Sequence, residues 1–235
     1  MFKALLFDLD GTLLDIDMDY FLKHYFKKMM EMAALSGYAN VEKLVGQVYK
    51  STGAMIANQD PRLRNEEVFK EDFFSKWEYP RKEFEGFFDR FYAEGFPQLK
   101  EKCRPFSGVP EMMEKVFKKG MKVVIATNAV FPFTALQQRL DWAGVGSFDY
   151  ELVTSYELMH FCKPHHQYYE EIAGIIGENP QDCLMVGNDV GEDLPAKKTG
   201  MKTFLVEDML IDNGSTLQAD WRGRLQDLFA FIEEL

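Results

Sequence analysis

Ala4-Leu5-Leu6-Phe7-Asp8-Leu9-Asp10-Gly11-Thr12 is the stretch on which the fold and the chemistry turn. Ala4 to Phe7 is a short apolar run, the pattern of a strand buried on both faces of a sheet. Residues i and i+2 of an extended chain project to the same side, so Asp8 and Asp10 are aimed together at the sheet edge. Two carboxylates that close are costly unless a cation or a proton compensates them. Gly11 permits the sharp turn by which the chain leaves the edge. Paired aspartates can serve merely as an Asx turn or a helix cap. The complete string following an apolar strand favours chemistry.

The same pattern recurs further along. Val123 to Ala126 ends at Thr127-Asn128, and Leu184 to Val186 ends at Gly187-Asn188-Asp189. Glu151 to Thr154 and Thr203 to Val206 are two more candidate strands. Helical patterns lie between them. Met112, Met113, Val116 and Phe117 precede Gly120, a helix stop, and Tyr168, Tyr169, Ile172, Ala173 and Ile176 follow Lys163-Pro164 with helical period. Alternating strand and helix predicts an α/β fold with a doubly wound, Rossmann-like parallel sheet. Ligands bind such sheets beyond the C-terminal strand ends, where the polar residues named above fall.

Residues 15–98 read differently, with no convincing strand. Phe21, Tyr25, Met29 and Met32 fit one helix, and Leu44, Val45, Val48 and Tyr49 a second. Phe69, Phe73 and Trp77 fit a third, and Phe84, Phe87, Phe88, Phe91 and Tyr92 a fourth. Pro61, Pro80 and Pro97 punctuate the segment. The expectation is a core domain of residues 1–14 and 99–235 with a second, smaller all-helical domain, 15–98, inserted after the first strand. The aromatic stripes of the insert read as its core, and Leu217 to Leu235 as a final amphipathic helix.

The net charge of -11 would repel a phosphate backbone, so nucleic acid is not an expected partner. Cys103, Cys162 and Cys183 lack the spacing of a disulfide framework or zinc site. No stretch approaches the roughly 20 apolar residues that cross a bilayer, and no signal peptide is evident. A cytoplasmic protein with no membrane partner is expected, and monomer and homodimer both fit the sequence.

With these residues in view, the chain resembles the haloacid dehalogenase superfamily of phosphohydrolases. Four motifs carry the resemblance in order: Asp8 to Thr12; Thr127-Asn128; Lys163-Pro164; and Gly187-Asn188-Asp189 with Glu192-Asp193. The superfamily's parallel core and helical cap match the organisation above. The resemblance implies that Asp8 attacks phosphorus to form an aspartyl-phosphate, while Asp10 protonates the leaving oxygen and then activates water. It implies phosphoryl contacts from Asp8, Leu9, Gly11, Thr12, Thr127, Asn128 and Lys163, the last with Thr127 offsetting transition-state charge. It also implies a magnesium ion among Asp8, Asp10, Asn188, Asp189 and Asp193.

Two motifs depart from the superfamily's common pattern. Asn188 rather than Asp follows Gly187; a charged oxygen binds magnesium better than an amide, which favours Asp189 as ligand. Asp189 and Asp193, four apart, would stack on one helical face, with Asp193 ligating through water or orienting Lys163. His165-His166 stand where relatives often carry Asp and Pro, and would cap a helix, face solvent or touch the leaving group. Arg62, Arg64, Lys70, Arg81 and Lys82 are candidates to meet an anionic substrate, and Leu13 to Tyr20 would form the hinge between core and cap.

The resulting expectation is a magnesium-dependent phosphatase acting on a small phosphorylated metabolite. The alternatives are a phosphomutase like β-phosphoglucomutase, a dehalogenase and a non-catalytic binding module. The second aspartate, Asp10, argues against a dehalogenase, which needs no proton for its leaving group.

Overall fold

The computed structural model describes residues 2–235. Its centre is a parallel sheet of six strands in the order β5-β4-β1-β6-β7-β8. These are β1 (Ala4–Phe7), β4 (Lys122–Ile125), β5 (Leu152–Val153), β6 (Cys183–Gly187), β7 (Lys202–Val206) and β8 (Trp221–Gly223). β1 is fully buried and pairs with β4 on one side and β6 on the other, with Phe7 opposite both Ile125 and Val186. The order reverses around β1, which makes its C-terminal end the switch point of the sheet.

Helices α5 (Val109–Lys118), α6 (Phe133–Trp142), α7 (His166–Ile176) and α8 (Leu225–Glu234) belong to this α/β part. One face of the sheet, with Ala4, Leu6, Val124 and Met185, packs on Tyr168, Tyr169 and Ile172 of α7. The other face, with Leu5, Phe7, Val123 and Leu184, packs on Met112, Met113 and Val116 of α5 and on Leu228 and Ile232 of α8. The Rossmann-like architecture expected from the apolar runs is therefore observed.

The C-terminal segment differs from expectation. Only Leu225–Glu234 is helical, and Trp221–Gly223 adds an edge strand beside β7. A helix over the whole of 217–235 would have left the edge of β7 unpaired. The cysteines are free and buried.

A two-stranded antiparallel ribbon, β2 (Leu14–Asp15) with β3 (Arg104–Pro105), brackets the helical segment, and only its residue Asp15 falls inside the stretch read as strandless. Between its strands run α1 (Met18–Leu35), α2 (Val41–Ala57), α3 (Asn65–Lys76) and α4 (Arg81–Arg90). α4 continues through a π turn, Phe91–Gly95, into a 3-10 segment, Phe96–Lys102. Asp17 caps α1 by accepting from the Tyr20 N–H at 2.9 Å.

Asn65 ties α3 to the α/β part. Its Nδ2 donates to the carbonyls of Ala129 at 3.1 Å and Phe161 at 3.2 Å, and its N–H donates to the Met159 carbonyl at 2.8 Å. Among the described residues, no helix is long and apolar enough to cross a membrane.

Candidate active site

Pairing on both flanks of β1 brings three loops to one place. The Asp8 N–H donates to the Val186 carbonyl at 2.8 Å and the Ala126 N–H to the Phe7 carbonyl at 2.7 Å, so the chain beyond each strand emerges side by side. Asp8, Asp10, Thr127, Asn128, Asn188, Asp189 and Asp193 line one cleft of about 290 Å³.

The turn after β1 closes by bonds from Gly11 N–H to the Leu14 carbonyl and from Leu13 N–H to the Leu9 carbonyl. Gly11 takes φ +83°, and a Cβ there would lie 2.3 Å from Asn188 Nδ2, so glycine is required twice over. The Leu9 side chain is in the core, which leaves only its main chain to face a ligand. The Thr12 hydroxyl is buried and donates to Asn188 Oδ1 at 3.0 Å, with a longer contact to Asp8 Oδ2. Leu9, Gly11 and Thr12 stand behind the cleft wall.

Lys163, just before α7, is buried and shared by two carboxylates. Its Nζ donates to Asp8 Oδ1 at 2.8 Å and to Asp193 Oδ1 at 2.6 Å. One cation thus serves two anions. Burial would discharge the lysine, but Asp193 and Asp8 outweigh it and keep it firmly protonated. Burial pushes the Asp8 carboxyl up to about 8; Lys163 opposes this, and Asp193 and Asp10 add to it. The nucleophile candidate is short of positive charge.

Asp10 departs from the simple picture of two side-by-side carboxylates. Its Oδ2 accepts from Nη1 of Arg139 on α6, a residue with no solvent exposure. The Arg139 guanidinium lies 4.4 Å over the Phe131 ring. Asp10 Oδ1 is buried without a partner. The sequence reading missed Arg139, because a lone arginine in the amphipathic pattern of α6 reads as a surface charge.

The fourth motif is a tight turn rather than a helix face. Asp189 Oδ1 accepts from the N–H groups of Gly191 at 2.7 Å and Glu192 at 3.0 Å, while its own N–H donates to Asp193 Oδ2 at 2.9 Å. The expected stacking of the two side chains therefore fails. Asp193 turns under Lys163, whereas Asp189 remains at the cleft. Asn188 is committed elsewhere, accepting from Thr12 and donating to the Met209 carbonyl at 2.6 Å.

Asn128 Oδ1 accepts from the Lys163 N–H at 3.2 Å, and its Nδ2 donates to Glu192 Oε1 at 3.0 Å, joining the second, third and fourth motifs. Thr154 and Tyr168 both donate to the Thr127 carbonyl at 2.7 Å, fixing a residue that lines the cleft together with Asp8. Burial pushes Glu192 up to about 7, with Asp193 and Asp189 adding to it.

His160 faces Glu171 at 2.6 Å, and the His165 ring meets the Ile56 carbonyl at 2.9 Å, so these histidines stabilise structure. Of the basic candidates, Arg62 pairs with Asp60 and Arg81 with Glu85, away from the cleft. Lys70 pairs with Glu66 and Glu85.

Among the described residues, no three His, Cys, Asp or Glu side chains converge as a complete ligand shell. The cleft nevertheless offers hard oxygen donors from Asp8 and Asp189 and a deficit of positive charge. Carboxylate oxygens of this kind are the donors that hard divalent cations take, with main-chain oxygen and water filling the remaining positions.

The fold and these residues define a hydrolase of the haloacid dehalogenase type. The sequence matches the haloacid dehalogenase-like hydrolase family over residues 2–199, and the chain belongs to that family. It is 26% identical over 215 residues to the phosphoglycolate phosphatase of Thiobacillus denitrificans, covering 87% of this chain and 82% of that one. It is 29% identical over 217 residues to the glyceraldehyde 3-phosphate phosphatase of Methanothermobacter thermautotrophicus, covering 90% and 88%. In structure it is similar to a predicted phosphoglycolate phosphatase from Haemophilus somnus, with a TM-score of 0.59, 18% identity and coverage of 98% and 97%. The L-2-haloacid dehalogenase of Xanthobacter autotrophicus shares the fold at a TM-score of 0.56, with 16% identity and 100% of both chains covered.

Proposed function

We propose that this enzyme is a magnesium-dependent phosphatase that hydrolyses a small phosphomonoester through an aspartyl-phosphate on Asp8. The observation that carries the reading is the buried Asp8–Lys163–Asp193 arrangement beside Asp10, at the switch point of the sheet. A binding module has no use for a charge-deficient carboxylate at that point.

The residues fit a magnesium ion, which Asp8, the Asp10 main-chain carbonyl and Asp189 would hold; when bound, it would supply positive charge to Asp8 and to the phosphoryl oxygens. Asp8 attacks phosphorus and the ester oxygen leaves, splitting the hydrolysis into two easier displacements. Asp10 gives the leaving oxygen its proton and then takes one from the attacking water. Its Oδ1 is the atom free to carry that proton, since Oδ2 is held by Arg139. Lys163 and the Thr127 hydroxyl bind phosphoryl oxygens, and Asp193 positions the lysine rather than the metal. Asn188 buttresses Gly11 and Thr12. The helices of residues 15–98 act as a cap, hinged at the β2–β3 ribbon, that excludes water during the reaction.

Asp10 is what separates this reading from dehalogenation. The test is phosphate release from a panel of phosphomonoesters, with magnesium and with chelator. Release that stops with chelator and returns with magnesium is expected, and Asp8→Asn should abolish it without lowering the melting temperature. Full activity in that variant, or none in the wild type with any ester, would overturn the mechanism.

A further inference from the structure

A second cavity, of about 670 Å³, continues from the cleft and shares Met18, Val130 and Phe131 with it. It lies between the helical segment and the loop after β4. Its walls are aromatic and aliphatic: Leu22, Phe26, Phe69, Phe74, Phe88 and Tyr92 all line it. Not all of the aromatic stripes read as core therefore serve that purpose. Phe73, Phe84, Phe87 and Phe91 are buried, while Phe69 and Phe88 are only partly buried, with rings 6.3 Å apart, and face the hollow.

The charge around it is one-sided. Glu66, Glu85, Asp89 and Glu157 line the cavity, with Lys70 as the one cation of the lining among the described residues. Lys70 is already held by Glu66 and by Glu85 at 3.7 Å. A second anion on the substrate would lose its water, meet four carboxylates and find no uncommitted cation. The neutral polar groups there favour a donor instead. The Tyr25 and Tyr92 hydroxyls bond each other at 2.8 Å, and Gln138, whose Nε2 donates to the Tyr92 carbonyl, has a buried Oε1 without a partner.

We infer that the substrate is a phosphate ester of a large, apolar, aromatic alcohol that carries no second anionic group. The volume is that of a pocket for a multi-ring ligand, and far exceeds what a two- or three-carbon acid or aldehyde needs. Flat rings entering at the Phe131 end would meet Phe69, Phe74 and Phe88 in the edge and offset geometries aromatic pairs prefer. The inference rests on the phosphatase reading for the chemistry, and on the cavity alone for the choice of ester.

The test compares 2-naphthyl phosphate, ethyl phosphate and phosphoglycolate by phosphate release with magnesium. The expected order of kcat/KM is naphthyl first, ethyl next and phosphoglycolate last, with at least tenfold between the ends. Phe88→Leu should raise KM for the naphthyl ester several-fold more than KM for ethyl phosphate, with melting curves confirming the fold. Asp89→Lys, on an exposed position of the wall, should improve phosphoglycolate several-fold. Phosphoglycolate turned over as well as the naphthyl ester overturns the inference and leaves the phosphatase intact. No gain in Asp89→Lys removes its charge component. If no ester releases phosphate, the phosphatase reading fails and binding decides. Saturable naphthyl phosphate fluorescence on the Asp8→Asn protein, not competed by phosphoglycolate, supports the aromatic pocket, and absence of binding overturns it.

Discussion

Arg139 Nη1 donates to Asp10 Oδ2 from a side chain wholly enclosed in the protein, 129 positions away in sequence. The pair joins α6 to the turn after β1, and Phe131, which lines both the cleft and the larger cavity, stacks on the guanidinium. Removing one member of a buried ion pair leaves an uncompensated charge, at about 3–5 kcal/mol. Arg139→Met should therefore lower stability by roughly that amount and kcat at least tenfold, with Arg139→Lys intermediate in both. Denaturant unfolding and steady-state kinetics measure the two, and a fully stable Arg139→Met would show the pair to be dispensable.

Lys163 holds Asp8 and Asp193 together, so its loss sets two buried carboxylates against each other. Lys163→Met should reduce turnover by roughly 10²–10³-fold, as for the loss of a transition-state donor. Adding Asp193→Asn should recover stability but not activity. A double-mutant cycle in unfolding free energy is expected to give a coupling of about 0.5–3 kcal/mol. Strict additivity would mean the two side chains act independently.

Gly11 and Gly187 admit no side chain. A Cβ on Gly11 would meet Asn188 Nδ2 at 2.3 Å in a left-handed backbone conformation, and one on Gly187 would meet Asp193 Oδ2 at 2.0 Å. Gly11→Ala should cost about 1–3 kcal/mol in backbone strain and displace Asn188 from Thr12. Gly187→Ala should disturb activity more than stability, since it moves Asp193 from Lys163. A Gly187→Ala enzyme with unaltered kcat would contradict the positioning role of Asp193.

Asp220 provides a pH test remote from the active site. Burial raises its carboxyl, but bonds from Lys202 at 2.9 Å, Lys197 at 3.0 Å and the Thr203 N–H at 3.1 Å outweigh this and hold it at about 2. Its unfolded value is about 3.9. The stabilisation is therefore present above pH ~4 and is lost as pH falls toward 2. Asp220→Asn should be less stable than wild type by about 1 kcal/mol at pH 6, with the gap closing through that window. Urea midpoints at pH 6 and pH 3 check it, and an equal gap at both would assign the loss to packing.

Much of the α/β core was legible because burial on both faces of a sheet leaves a short apolar run with an abrupt polar end. Ala4–Phe7, Lys122–Ile125 and Cys183–Gly187 show that signature. Trp221–Gly223 does not, since an edge strand of three residues need not be apolar. The positions of Asp8 and Asp10 were readable from a strand end, and that of Lys163 from the Lys163-Pro164 pair ahead of a helix. For Asp193 the sequence left two places open, ligation through water or orientation of Lys163, and only the contact of Asp193 with Lys163 chose between them, because a turn and a helix give the same four-residue spacing.

The sequence by itself determined the strand ends and therefore which side chains could reach the switch point, since the period of two and the breaks in hydrophobicity are local properties. Only the tertiary structure decided that Arg139 faces Asp10, that Asp193 and not Asp189 takes Lys163, and that Phe69 and Phe88 line a cavity while Phe73 and Phe84 fill a core. Those outcomes depend on which element packs against which. An arginine or a phenylalanine has the same helical period whether its neighbour is solvent, a carboxylate, another ring or a hollow.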